Sequence, residues 1–148
     1  MNRDDVNDLY ADYDATLDDR NLEGWLSLFT ESCSYVVTTK ENVDQKWAIA
    51  LISCETRGMM VDRIAAIQKT MYFLPRQQRR LASGLRVRDG QAQSSFAVYE
   101  SVAAEPTKLL ATGRTFDVLQ YEEGRLKFAS RRYVLDSSIV LNSLIYPL

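Results

Sequence analysis

The side chains best suited to proton chemistry in this sequence are carboxylates and phenols. Tyr10, Tyr13, Tyr35, Asp14, Asp62 and Asp117 could supply a carboxylate base and hydroxyl donors around an apolar cavity, as an isomerase or dehydratase requires. Asp62 sits beside Arg63 in a helical pattern, where an ion pair is the expected use. Asp117 lies among Thr115, Phe116 and Val118, a strand-like run from which it could face a pocket. What is missing restricts the chemistry more. The chain has 148 residues and no histidine. A Rieske cluster needs two histidines, and a two-His-one-carboxylate iron site needs two more. Most catalytic zinc sites, the Ser-His-Asp triad and Cys-His pairs are excluded as usually built. Cys33 and Cys54 lack CxxC spacing and read as core fillers.

The elements that would position these groups follow from periodicity. Val6, Leu9, Tyr10, Tyr13 and Leu17 recur at helical spacing, opposite a set of aspartates. Asn21 is a candidate N-cap for a short helix carrying Leu22, Trp25, Leu26 and Phe29. Residues 34–39 are β-branched and aromatic and predict a strand, and the alternation of Trp47, Ile49 and Leu51 predicts another over 45–53. Met59, Met60, Ile64 and Ile67 predict a helix over about 55–68, closed off by Pro75. From there the period is two. Leu81, Leu85 and Val87 are expected on one face and Arg80, Arg86 and Arg88 on the other.

Asp89-Gly90 and Glu122-Glu123-Gly124 read as hairpin turns between strands that carry Phe96 to Val102, Leu109 to Tyr121 and Arg125 to Leu135. With no repeat, low-complexity tract or linker, residues 1–148 are expected to form a single domain. The predicted class is α+β: N-terminal helices packed in the mouth of a strongly curved, mostly antiparallel sheet, the cone of the cystatin-like or nuclear-transport-factor-2-like fold.

Charge is segregated along the chain. Asp4, Asp5, Asp8, Asp12, Asp14, Asp18, Asp19 and Glu23 face only Arg3 and Arg20 within residues 1–23. Arg57, Arg63, Lys69, Arg76, Arg79, Arg80, Arg86 and Arg88 face only Asp62 within 57–88. The two runs could pair within the fold or steer a subunit interface, and the preponderance of Arg over Lys favours the interface. The net charge of −2 offers no basic excess for a nucleic-acid backbone. The opening Met1-Asn2-Arg3-Asp4-Asp5 is acidic, and no apolar run approaches the ~20 residues of a membrane span. A cytoplasmic protein, with neither nucleic acid nor membrane as partner, is the expectation.

Several segments, in order, resemble the small (β) subunits of Rieske-type aromatic-ring-hydroxylating dioxygenases. Trp25, Phe29, Cys33, Tyr35 and Val37 match a W-x-x-x-F-x-x-x-C-x-Y-x-V pattern, and Met60-Val61-Asp62-Arg63 matches M-x-D-R. Arg79-Arg80-Leu81-Ala82-Ser83-Gly84 stands where the family has an R-H-x-x-S-N-like strand start, with Arg80 in place of His and Gly84 in place of Asn. Lys69 to Pro75, Asp136-Ser137-Ser138 and the tail Asn142 to Leu148 are similar to salicylate-hydroxylase and terephthalate-dioxygenase small subunits.

The resemblance implies a cone-shaped, non-catalytic structural subunit with no metal or cofactor of its own. The Rieske [2Fe–2S] cluster and mononuclear Fe(II) are then expected on a partner α subunit, in a hexamer of three α and three β chains. Ferredoxin or reductase would deliver electrons to α, and the substrate would be a carboxylated arene. Arg79, Arg80, Asp62, Arg63 and the Tyr146-Pro147-Leu148 tail are the implied interface residues. Two rival readings are a stand-alone isomerase or dehydratase built on the Asp and Tyr set above, and a carrier whose cavity mouth holds Tyr13, Trp25 and Met60.

Overall fold

Side-chain caps set the helix starts in the computed structural model, which describes residues 1–140 and 144–148. Asn2 accepts from the Asp4 N–H and opens α1 (Arg3–Asp18), which buries Val6, Leu9, Tyr10, Tyr13 and Leu17. Asn21 caps α2 (Leu22–Ser27) through the Gly24 N–H, as its position predicts. Strand β1 (Phe29–Thr39) follows at once and is longer than its β-branched half suggests. Thr39 then caps α3 (Lys40–Asp44), a short helix that the sequence pattern did not announce.

That helix explains why the strand expected over 45–53 is mostly absent. The chain leaves α3 through Lys46 at positive φ, and the Asn42 side chain holds the Ile49 carbonyl, so Trp47, Ile49 and Leu51 stay exposed. Only β2 (Ile52–Cys54) pairs with β1. Thr56 caps α4 (Arg57–Lys69), which buries Met60, Ile64 and Ile67 and leaves Met59 outside.

Strands β3 (Arg76–Arg88), β4 (Gln91–Val102), β5 (Lys108–Glu122) and β6 (Arg125–Leu135) complete a six-stranded sheet ordered β2-β1-β6-β5-β4-β3. All neighbours are antiparallel except β1 and β6, which run parallel. Both two-residue hairpins put their central residues at positive φ, Asp89-Gly90 and Glu123-Gly124, the type I′ geometry that follows strand twist. Gly113 serves close approach: a Cβ there would stand 2.1 Å from the Val134 carbonyl oxygen.

On β3 the two expected sets do not keep to one face each. Gln78 and Arg80 point inward and Leu81 outward. A bulge between Ser83 and Arg86, with Gly84 at φ 64°, then shifts the phase, so Leu85 turns half inward. Inside the curve of the sheet, Trp25, Phe29, Tyr35, Tyr13, Phe128 and Tyr133 pack mostly edge to face, at ring separations of 5.3 to 6.4 Å. Cys33 and Cys54 are buried and unbridged.

Candidate functional site

The interior of the cone is occupied by one side chain that sequence reasoning passed over. Arg131 of β6 is directly opposite Asp117 of β5, and its Nη1 lies 3.1 Å from Asp117 Oδ2. Its side chain is 2% exposed and that of Asp117 0%. The guanidinium also donates through Nε and Nη2 to the Tyr133 hydroxyl, at 3.1 and 2.9 Å. Its carbon lies 3.9 Å from the Tyr13 ring centroid, 4.6 Å from Phe128, 4.9 Å from Tyr10 and 5.0 Å from Tyr133. Desolvated cation–π contacts of this kind contribute about 2 kcal/mol. The Tyr10 hydroxyl donates to the same Asp117 oxygen. Tyr133 and Leu135 point inward at period two, and that phase placed Arg131 inward as well.

Burial pushes the Asp117 carboxyl above the ordinary carboxylate value, and Arg131 pulls it back. Desolvation is the largest influence on Arg131 and opposes its charge, but the Asp117 carboxylate together with Tyr133, Tyr13 and Tyr10 holds the guanidinium well above its ordinary value. Tyr10 is driven far above a normal phenol by burial and by Asp117, and burial likewise raises Tyr35 and Tyr133. Asp14 is also raised by its partial burial, against the pull of Arg131 and Arg80.

Of the set proposed for proton chemistry, Tyr10, Tyr13, Tyr35 and Asp117 are therefore already engaged. Asp117 holds Arg131 and Tyr10 through one oxygen, while its Oδ1 is buried without a hydrogen-bond partner. Tyr13 donates to the Leu148 carbonyl at 2.6 Å, and Tyr35 accepts the Leu148 N–H at 2.8 Å. Asp62 is exposed on α4, on another part of the molecule. Arg63 does not use it: its Nη2 donates to the Leu144 and Ile145 carbonyls at 2.9 and 3.0 Å.

The tail closes the mouth of the cone. Leu148 is fully buried, and Tyr146 packs edge to face on Phe73 and beneath the Arg20 guanidinium. Arg80 is a buried three-way clamp. Nη1 meets Asp18 at 2.7 Å, and Nη2 meets the Pro147 carbonyl at 2.6 Å and Gln78 at 2.9 Å. Arg79 points the other way, its side chain 64% exposed, with Asp18 at 3.7 Å. Part of the acidic and basic runs thus pairs within the fold, through Asp18. Of the tail match, Asn142 and Ser143 lie outside the described residues.

The mouth proposed for a carrier, Tyr13, Trp25 and Met60, is solid core with no exposed surface. A cavity of about 570 Å³ lies elsewhere, between the start of α1 and the β3–β4 hairpin. Among the described residues, no group of three His, Cys, Asp or Glu side chains comes together to hold a metal ion. The residues present do not fit a Rieske cluster or a mononuclear iron. No helix among them is long and apolar enough to cross a membrane.

The fold is a cystatin-like cone, filled by its own arginine and covered by its own tail. The family model for the ring hydroxylating beta subunit matches residues 14–142, and the chain belongs to that family. It is 26% identical over 141 residues to the anthranilate 1,2-dioxygenase small subunit of Burkholderia cepacia, covering 92% of this chain and 88% of that one. It is 26% identical over 143 residues to subunit beta 2 of the terminal oxygenase component of terephthalate 1,2-dioxygenase from Comamonas sp, covering 93% of each. A solved beta subunit, attributed to an aromatic-ring-hydroxylating dioxygenase of Novosphingobium aromaticivorans, superposes with a TM-score of 0.86 at 28% identity, over 99% of this chain and 96% of that one.

Proposed function

We propose that this chain is the non-catalytic β subunit of a multicomponent oxygenase that hydroxylates a carboxylated arene of salicylate or terephthalate type. The observation that carries the reading is the closed cone: Arg131, Asp117 and Tyr10 satisfy one another where a reacting molecule would need to bind. The relatives named for anthranilate and terephthalate dioxygenases support a ring that bears a carboxylate. In this reading the α subunit holds the Rieske cluster and Fe(II), receives electrons from a ferredoxin or reductase, and carries out the chemistry. The assembly is three α and three β chains in the cytoplasm. Arg79 and Asp62, exposed in the single chain, contribute to its interfaces directly. Arg80, Arg63 and Tyr146-Pro147-Leu148 act from beneath, by fixing the tail that shapes the surface.

Co-expression with a Rieske-type α subunit tests this. The expected result is a complex that carries the Rieske absorption and oxygenates the arene, while the β chain alone is colourless and inert. Isomerase or dehydratase turnover by the isolated chain overturns the proposal, as does failure to retain any iron–sulfur partner.

A further inference from the structure

The outer face of the sheet carries guanidiniums that the fold itself does not use. Two adjacent cross-strand rows run from β3 to β1. The first is Arg86, Gln93, Phe116, Arg132 and Val36, and the second is Arg88, Gln91, Val118, Ser130 and Ser34. Both rows keep one order of chemistry across the strands: a guanidinium, an amide, an apolar side chain, then Arg132 or the Ser130 hydroxyl. No Asp or Glu shares them. Arg86 and Arg132 have no ion-pair or hydrogen-bond partner among the described residues. Arg88 leans on Asp89 at 3.6 Å, but both side chains are more than nine-tenths exposed, and water screens such a pair. Phe116 and Val118 are 43% and 45% exposed. An exposed ring and an exposed isopropyl group thus lie between cations.

These rows bound a cavity of about 560 Å³, with Arg86, Arg88, Gln91, Gln93, Phe116 and Val118 among its walls. Arg132 stands on its β6 side, in register with Phe116. That volume lies in the range of small-molecule sites, which combine apolar walls with a few convergent polar groups. What the walls lack is negative charge on a flat apolar body. A guanidinium takes a planar carboxylate through two parallel N–H···O bonds. A ring laid on Phe116 and Val118 gains buried apolar area and an aromatic pair. The Gln91 and Gln93 amides can donate to further oxygens. Arg86 to Arg132 is three strand spacings, about 14 Å, so the two arginines can lean inward onto opposite ends of one ring anion. Phosphate would use the cations and leave the apolar strip wet, and an aliphatic diacid would forgo the ring contact.

We propose that this outer-face cavity is a binding site for a planar aromatic dicarboxylate, with Arg86 and Arg132 on its anionic ends and Phe116 against its ring. The site is apart from the closed cone and uses only side chains of this chain. It stands whether or not the chain assembles with an iron-bearing partner.

Isothermal titration of the purified full chain with naphthalene-2,6-dicarboxylate, a rigid ring with a carboxylate at each end, tests it. Saturable binding of one molecule per chain is expected, weakening as salt rises. Adipate, which has the two charges without the ring, should bind about tenfold more weakly, and inorganic phosphate no better than adipate. Arg86→Gln and Arg132→Gln should each weaken the ring anion about tenfold. Phe116→Ser should erase the preference over adipate, and Phe116→Leu should reduce it if the polar change impairs folding, which circular dichroism follows. No saturable binding overturns the proposal. Equal affinity for adipate does so too, because the face then attracts anions without reading the ring. Arginine variants that bind as the wild type does would place the ligand elsewhere on the molecule and overturn it as well.

Discussion

Arg131 and Arg132 are consecutive residues of β6 that point to opposite faces of the sheet. The first is 2% exposed, paired with a buried carboxylate and enclosed by four aromatic rings. The second is exposed and has no partner among the described residues. The same functional group is structural on one face and available on the other, and one step of strand pleat separates the two roles. A charge taken out of water must be compensated inside its own chain, whereas a charge left in water keeps its interaction for another molecule.

The largest effect should come from removing the buried member. Arg131→Met leaves Asp117 enclosed without its counter-charge and should cost about 3–5 kcal/mol of folding free energy, read by urea denaturation. Arg131→Met together with Asp117→Leu should recover much of that loss, because both buried charges are then gone. A single Arg131→Met variant of wild-type stability would mean that the pair does not hold the core.

Arg80→Ala should come next. It removes charge-assisted bonds to Asp18 and the Pro147 carbonyl and unpins the tail, for a cost of about 1.5–3 kcal/mol. The same variant divides two roles. If Arg80 acts through the tail, assembly with the iron-bearing chain weakens only in step with the lost stability. If assembly fails while the melting temperature is unchanged, Arg80 touches the partner directly.

A third, smaller effect separates the faces by pH. Burial raises Asp14, and the groups facing it are Arg131, Arg80 and Asp18. With a folded-state value above the unfolded one, Asp14 favours the folded state fully below about pH 4. That contribution is lost as pH rises through the raised value. Asp14→Asn should therefore flatten the decline in stability across that window, and urea midpoints taken from pH 4 upward would show it. An unchanged slope would assign the decline to Asp117, the other raised carboxylate of the interior.

Much of the fold was legible because period and punctuation agreed. The α1 heptad-like spacing, the Asn21 cap and both hairpin turns are local signals, and the structure places them as read. The failures share a cause. The rule that hydrophobic side chains point inward and charged ones outward fails on both sides of this sheet. Leu81 and Phe116 are outside and Arg80 and Arg131 inside. Trp47, Ile49 and Leu51 alternate like a strand, but the cap on α3 turns the chain away from the sheet edge. The site is harder to read: Asp117 and Tyr10 stand out by type, whereas the arginine that joins them is signalled only by the two-residue phase it shares with Tyr133 and Leu135.

The smallest expected effect falls on Arg132 itself. Its nearest charged neighbour on the outer face is Arg114, diagonal across β5 and β6 at about 7 Å between Cβ positions. Two like charges at that separation repel by about 0.6 kcal/mol in water of dielectric ~80, and less once salt screens them. Among the described residues nothing offsets this, so Arg132→Gln should stabilise the isolated, dilute chain by a few tenths of a kcal/mol at low salt. The gain should vanish at 0.5 M salt, while the cost of Arg131→Met stays nearly constant because its pair is shielded from ions. Urea midpoints of both variants at the two salt concentrations make the measurement. A loss of more than about 1 kcal/mol for Arg132→Gln would show that this guanidinium is already committed within its own chain, and the contrast between the two neighbours would not stand.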